Sequence, residues 1–329
     1  MRIVATEDGI VVELGRKTLG LDHRGTRLLS YYFVSHAHSD HLSRDLINKD
    51  VICSSPTSIF ASMRGIPMNQ ITSPQFKLIA NGHILGSSAL LLGDQLLYTG
   101  DFNDRERPFS SRFRPPRTKV LIMEATYGRP FFRFPEESEI ISEAKDKVLE
   151  LLNRGKNVII LGYALGKSQH LQLFFDRWFG AFKNYVWPLI SRYNDIYRLF
   201  GEKISDKTEV FPPTVPEMMD GKGWLLYMPS YASRISLYDE LRRKGAFSIS
   251  FTGWATYRNY ADSVNVDLAF PLSDHADFDG LIRIAEEVDP EVVLVTHGFA
   301  SDFSLTLRRM GMATASERSE ISNLSKYLT

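Results

Sequence analysis

The chain has 329 residues, with 39 basic side chains against 39 acidic ones and a formal net charge of +0. This balance excludes a generally basic nucleic-acid coat and leaves only a local patch for such contacts. The single cysteine, Cys53, excludes an intrachain disulfide framework and a cysteine-rich zinc module, so any bound metal must be held by histidine and carboxylate. The length suggests two domains, and the mixture of 43% hydrophobic and 24% charged residues is ordinary for a soluble globular protein. Residues 1–7 carry no apolar signal core, and no stretch approaches the ~18 apolar residues of a membrane span. The expectation is a cytoplasmic protein without a membrane partner. No internal repeat or low-complexity segment is present.

Residues 1–22 read as short strands broken by Asp8-Gly9 and Gly15. Asp22 stands where the apolar run stops, either as a turn former or as a carboxylate that orients a ligand histidine. The apolar run 28–34 predicts a strand, and it ends in Ser35-His36-Ala37-His38-Ser39-Asp40-His41. His36 and His38 are two apart and point the same way on extended chain. Asp40 and His41 need the chain to turn, so they can face a second point a few Å away. A two-metal hydrolytic site makes that demand, with ions about 3.5–4 Å apart. The alternative is a polar loop with chance histidines, but the chain has only 8 histidines and three lie in this one stretch. Histidine and aspartate are natural zinc donors.

Downstream, 42–46 reads as the first turn of a helix, 50–53 as a buried strand, and 56–63 as a helix ended by Gly65 and Pro67. A strand at 76–80 leads into Gly82-His83, where one histidine beside glycine is either a packed residue or a ligand approaching a crowded site. Strands 89–92 and 95–98 flank Gly93-Asp94, a hairpin signal. The second of them runs into Asp101, either a turn carboxylate or a ligand whose two oxygens can each hold a metal. Segment 105–119 interleaves Arg105, Arg107, Arg112, Arg114, Arg117 and Lys119 with Phe109 and Phe113, and Arg129 and Arg133 continue the pattern. It is either a solvated loop or a phosphate-contacting rim with stacking platforms.

Strand 120–124 ends in Glu124. A helix follows from 135 or 136 to 154, with Ile140, Ile141, Ala144, Val148, Leu151 and Leu152 on its apolar face. Strand 158–161 then opens into Gly162-Tyr163-Ala164-Leu165-Gly166-Lys167-Ser168-Gln169 and a helix to about 179. The loop either presents amides and Lys167 to an anion at a helix N-terminus or simply packs helix against strand. It lacks the P-loop glycine spacing. Strand–helix alternation continues to about 252, with a strand at 224–228 and a helix at 233–244, which points to parallel α/β architecture. Strand 265–270 feeds Ser273-Asp274-His275-Ala276-Asp277 and a helix at 278–288. Strand 292–296 ends in His297, and a helix at 303–310 closes the pattern. His23 and His170 carry no assignment.

These strand-end segments, in this order, resemble the metallo-β-lactamase family. His36 to His41 match its HxHxDH signature, and His83 and Asp101 resemble its third and fourth motifs. Glu124 in Glu-Ala-Thr-Tyr-Gly, His275 in Ser-Asp-His-Ala-Asp and His297 in Thr-His-Gly resemble the three further motifs of the β-CASP nucleases. Within these, 127–130, 163–167 and 273–277 resemble the ligase-associated DNA damage response exonucleases, often labelled mRNA 3′-end processing factors. Two departures are present: Lys167 stands where many relatives carry arginine, and Gly253-Trp254-Ala255-Thr256 is shorter than the turn of many RNA-processing members.

The resemblance implies an α/β fold, an αββα sandwich with an inserted parallel α/β β-CASP domain. The expected domains are 1–125 and 269–329 for the sandwich and 126–268 for the insert. It implies two divalent ions, zinc with manganese as the alternative. His36, His38 and His83 would hold one, Asp40, His41 and His297 the other, and Asp101 would bridge. Asp22 would support the ligands, Asp40 would also be catalytic, and His275 would protonate the leaving oxygen with Glu124 positioning its ring. Nucleic-acid contacts would come from Arg105, Arg107, Arg112, Arg114, Arg129, Lys167 and Ser168. The implied function is hydrolysis of single-stranded DNA or RNA, foremost as an exonuclease in DNA repair, with a DNA ligase or helicase as partner. RNA processing is the alternative. A thioester or lactone hydrolase, which leaves the long insert, His275 and His297 unexplained, and an inactive scaffold, which leaves the full set of expected ligands unexplained, are the competing classes.

Overall fold

The computed structural model describes residues 1–211 and 223–315. The chain opens with β1 (Arg2–Thr6), β2 (Gly9–Leu14) and β3 (Lys17–Leu21), an antiparallel meander. β4 (Tyr31–Phe33), β5 (Asp50–Ile52) and β6 (Asn69–Ile71) add in parallel, completing a first sheet of order β1-β2-β3-β4-β5-β6. Helix α1 (Ser55–Met63) lies between β5 and β6 in sequence. Its N-cap is Ser54, whose hydroxyl accepts from the Thr57 amide, and a proline occupies its first turn. β7 (Lys77–Ala80), β8 (Ser88–Leu92) and β9 (Leu96–Tyr98) form a second meander, and β10 (Val120–Glu124) pairs in parallel with β9.

An α/β stretch follows: α2 (Glu137–Asn153), β11 (Val158–Gly162), α3 (Lys167–Phe179), β12 (Lys183–Val186), α4 (Pro188–Leu199), β13 (Glu209–Val210), β14 (Trp224–Pro229), α5 (Ser236–Arg243), β15 (Phe247–Phe251), α6 (Tyr260–Ser263) and β16 (Leu268–Phe270). Its strands make one all-parallel sheet of order β13-β12-β14-β11-β15-β16. The chain then gives α7 (Phe278–Val288), β17 (Val292–Thr296), α8 (Ala300–Arg309) and β18 (Thr314–Ala315). β17 pairs with β10, so the second sheet runs β18-β17-β10-β9-β8-β7. Among the described residues no helix is long and apolar enough to cross a membrane.

Two compact units result. One holds Met1–Phe132 with the chain from His275 onward, the other Arg133–Asp274. In the first, strand alternation decides the layering. Val12, Leu19, Leu21 and Phe33 of the first sheet pack against Leu90, Leu96, Ile122 and Leu294 of the second. The opposite face of the second sheet, with Leu121, Met123, Val293 and Val295, is covered by Leu281, Ile284 and Val288 of α7 and by Phe303 and Leu307 of α8. The outer face of the first sheet packs Val34, Val51 and Cys53 with Ala61 of α1. The layers are therefore helix, sheet, sheet and helices. In the second unit both sheet faces are apolar, as a parallel sheet between helix layers requires.

Several local readings change, among them the strand expected over 265–270, which is only Leu268–Phe270 because Asn265 is left-handed at φ 57°. The strand expected over 28–34 is only Tyr31–Phe33, the length over which β3 pairs, and Leu28 is 94% exposed. The helix expected over 233–244 breaks into a 3₁₀ turn at Ser230–Arg234 and α5, with Ile235 extended between them. The Ser233 hydroxyl donates to the Ser230 carbonyl at 2.9 Å, the local competition that draws serine away from regular helix.

Leu294 is fully buried between the two sheets. Leu294→Ala is expected to lower stability by about 2–5 kcal/mol, measured as a fall in the urea midpoint at unchanged slope.

Candidate metal centre

The candidate donors stand on loops at strand ends of the first unit. His36 and His38 follow β4, His83 follows β7, Asp101 follows β9, Glu124 ends β10, and His297 follows β17. Nitrogen and oxygen atoms of His36, His38, His83 and Asp101 all lie within 4.8 Å of one another. His36 Nε2 and His83 Nε2 each approach His38 Nδ1 at 3.1 Å. A single Nδ1 offers one proton or one lone pair, so it cannot make a well-directed hydrogen bond to both rings at once. A cation among them removes that conflict, and the imidazole–carboxylate set is a zinc-type donor set. The residues present fit a divalent ion.

Electrostatics agree with that fit at His36 and Asp101. Burial, followed by the neighbouring His41 and His83, holds His36 well below the usual imidazole range. It therefore stays the neutral ring that ligation needs. Burial acts to lower His41 as well, but the carboxylates of Asp101 and Asp22 outweigh it and raise His41 well above that range. Burial acts to raise Asp101, and the opposite charge on His41, then His275 and His36, outweighs it and holds Asp101 well below the usual carboxylate range. Asp101 Oδ2 lies 3.3 Å from His41 Nε2 and 3.6 Å from His36 Nε2.

Asp22, which local spacing left open, has a definite place. Its backbone is left-handed at φ 40°. Its carboxylate accepts from the Ser35 amide at 2.7 Å, the Ser35 hydroxyl at 2.6 Å, His41 Nδ1 at 2.8 Å and the Tyr98 hydroxyl at 2.8 Å. His41 is thereby turned with Nε2 toward Asp101. Burial, reinforced by Asp22, pushes the Tyr98 phenol well up, which keeps it a donor.

Asp40 and His297 stand apart from the tight group. The Asp40 side chain is 76% exposed and lies 3.8 Å from His41 Nε2. His297 is exposed, has φ 59° and stacks on His41 with ring centroids 5.5 Å apart. A second group joins Asp101 to Glu124 and His275. Glu124 Oε1 accepts from the Phe102 amide at 2.8 Å and from His275 Nδ1 at 2.9 Å, while Oε2 accepts from the Thr126 amide and hydroxyl. The His275 ring lies 4.6 Å from that of His83, centroid to centroid.

Several residues that no motif had marked hold these loops. Asn81 Nδ2 donates to the carbonyls of Thr99 at 2.7 Å and Asp101 at 2.8 Å. Asn103 Nδ2 donates to the His275 carbonyl at 3.1 Å. The only sequence signal at Asn81 is its place two residues before His83.

The proposed nucleic-acid contacts divide. Arg114 is exposed. Arg112 pairs with Glu287 at 2.7 Å, and Arg129 pairs with Asp302 at 2.9 Å while stacking on Phe299. Arg105 reaches Asp277 at 3.3 Å, and Arg107 is buried. Lys167 and Ser168, in the second unit, are not held out to a ligand. Lys167 is 1% exposed and 2.8 Å from Asp274. The Ser168 hydroxyl donates to the Tyr163 carbonyl at 2.9 Å, and the Gly166 amide donates to Gln169 Oε1 at 2.8 Å. This loop packs α3 against β11, the alternative to anion binding. His170, unassigned from sequence, is buried and bonds Glu137 at 2.9 Å.

No model of a known protein family matches the chain. Over 296 residues, 85% of its length, it is 32% identical to a protein of Opitutus terrae named a probable DNA ligase, of which the match covers 28%. Over 273 residues, 68% of its length, it is 26% identical to cleavage and polyadenylation specificity factor subunit 3 of Dictyostelium discoideum, of which the match covers 35%. Over most of its length the chain is similar to proteins of the β-CASP metallo-β-lactamase family. It spans well under half the length of these two curated β-CASP relatives. Among solved structures, a protein of unknown function from Enterococcus faecalis V583 has a TM-score of 0.55 at 14% identity, covering 88% of this chain and 79% of that one, a likeness of fold.

Asp22→Asn removes part of the acceptor capacity that orients His41. Metal affinity is expected to fall about 10–100-fold, read by competition with a chromophoric zinc chelator while the far-ultraviolet circular dichroism stays unchanged.

Proposed function

We propose that the chain is a metal-dependent phosphodiesterase acting on single-stranded nucleic acid, as an exonuclease in DNA repair. The observation that carries the reading is the place of Asp101. Its carboxylate belongs to the histidine donor group and also to a group containing Glu124 and His275. A histidine–aspartate cluster serves many hydrolases. One set against a carboxylate-oriented imidazole adds a proton donor for a departing oxygen, which phosphodiester cleavage uses.

In this reading the layered unit is a metallo-β-lactamase αββα sandwich and 126–268 is the β-CASP insert. His36, His38 and His83 would hold one ion and Asp40, His41 and His297 the other, with Asp101 available to both. Divalent ions, zinc or manganese, supply Lewis acidity there, lowering the pKa of water and offsetting charge on phosphoryl oxygens. Glu124 accepts from His275 Nδ1, so Nε2 is the nitrogen that delivers a proton to the leaving oxygen. Asp40, exposed beside His41, accepts the proton released by the attacking water. Asp22 keeps His41 in orientation. Arg105, Arg112, Arg114 and Arg129 offer charge to the phosphate backbone. A DNA ligase is the proposed partner, supported by the name of the Opitutus terrae relative, and the place of action is the cytoplasm. The name of the Dictyostelium discoideum relative favours RNA as the second reading.

One oligonucleotide, made as DNA and as RNA and labelled at either end, tests the proposal with added zinc or manganese. The expected outcome is stepwise shortening of the DNA form from one end, abolished by Asp101→Asn. His275→Ala should reduce turnover about 10²–10⁴-fold. Turnover of thioesters or lactones with no cleavage of either nucleic acid overturns the proposal.

A further inference from the structure

The parallel sheet of the second unit changes winding direction between β11 and β15. After β11 the chain passes through α3 to β12, on one side. After β15 it passes through α6 to β16, on the other side. The two helices accordingly lie on opposite faces. Leu171 and Phe175 of α3 pack with Val158 and Ile160, whereas Ala261 of α6 packs against the cluster of Ile159, Leu161 and Leu226. Connections that leave adjacent strands in opposite directions do not cover the gap at their carboxyl ends. Open α/β sheets bind ligands in the crevice formed there.

A cavity of about 400 Å³ occupies this place, within the size range of small-ligand sites. Leu161 near the end of β11, Ser230 directly after β14 and Ser250 near the end of β15 line it, so its floor is the carboxyl edge of three neighbouring strands. Tyr231, Arg234 and Tyr260 stand around it. Among the described residues, Arg234 is the one charged lining group, and no carboxylate lines the cavity. Ser250 is 3% exposed and borders the cavity. Arg234 has no ion pair or hydrogen bond among the described residues. A guanidinium at an acid-free crevice favours an anion. Two tyrosines beside that cation offer faces for a planar ring.

We infer that this crevice binds a nucleoside monophosphate. Arg234 takes the phosphate, Ser250 a sugar hydroxyl, and Tyr231 or Tyr260 stacks on the base. No candidate metal donor lines the cavity, so the inference stands apart from the nuclease reading.

Isothermal titration of adenosine monophosphate into the full metal-free chain tests it. Saturable binding is expected, unchanged in Asp101→Asn. Arg234→Gln should weaken it at least about tenfold through loss of the charged contact, and Ser250→Leu, which fills the crevice, should abolish it. Adenosine and inorganic phosphate should each bind at least about tenfold more weakly than the nucleotide. Absence of saturable binding, or equal affinity for adenosine, overturns the inference. So does an affinity unchanged in Arg234→Gln, an exposed position that decides the matter even where Ser250→Leu fails to fold. A 5′-phosphorylated dinucleotide that binds more tightly than the mononucleotide overturns the assignment to a free mononucleotide.

Discussion

A buried carboxylate is costly unless opposite charge surrounds it, and Asp101 is such a carboxylate, 5% exposed. It lies within 4 Å of ring nitrogens of His36, His41 and His83, which come from two separate strand-end loops. None of these rings meets its requirement by sequence proximity. The closing ends of the two sheets have to bring them together, and much of the hydrogen bonding around the centre serves that closure. Asn81 ties the His83 loop to the Asp101 loop through two backbone carbonyls. The Ser88 amide donates to the Ser35 carbonyl at 2.9 Å, joining the second sheet to the loop after β4.

Two further carboxylates divide the work of orientation. Asp22, at the end of β3, turns His41. Glu124, at the end of β10, turns His275. Each has its remaining acceptor capacity taken up by backbone amides and hydroxyls, so neither is held by its histidine alone. Asp22 also accepts from Tyr98 of the opposite sheet. The same carboxylate therefore aligns an imidazole and couples the two sheets, linking the stability of the sandwich to the geometry of its edge.

The second unit follows a different logic. Its sheet is parallel and apolar on both faces, so polar groups collect where strands end. Lys167, Asp274, His170 and Glu137 form a buried charged cluster at the start of α3. The crevice at the ends of β11 and β15 is lined by hydroxyls and one arginine instead. Strand ends thus carry the chemistry in both units, because the interior of a covered sheet leaves polar side chains no other place.

Much of this was legible in the residue order. The pattern of 120–124 and 292–296, apolar and β-branched without alternation, marks strands buried on both faces. The 3.6-residue spacing of 278–288 marks α7. The stretch from His36 to His41 announces a metal site because so many donors follow one apolar run. Other features were closed to such reading. Among the described residues the Asp22 carboxylate bonds nothing nearer in sequence than Ser35, thirteen residues on, and its other partners, His41 and Tyr98, are further away. Lys167 beside glycine looks like a phosphate contact until Asp274, over a hundred residues later, is seen to lie against it. The sequence by itself determined which segments are strands and helices and which donors stand at their ends, since periodicity and composition are local. Which donors share Asp101, which arginines already have partners and where the uncovered crevice falls were decided by tertiary structure, because burial and ion pairing depend on residues that chain order keeps apart.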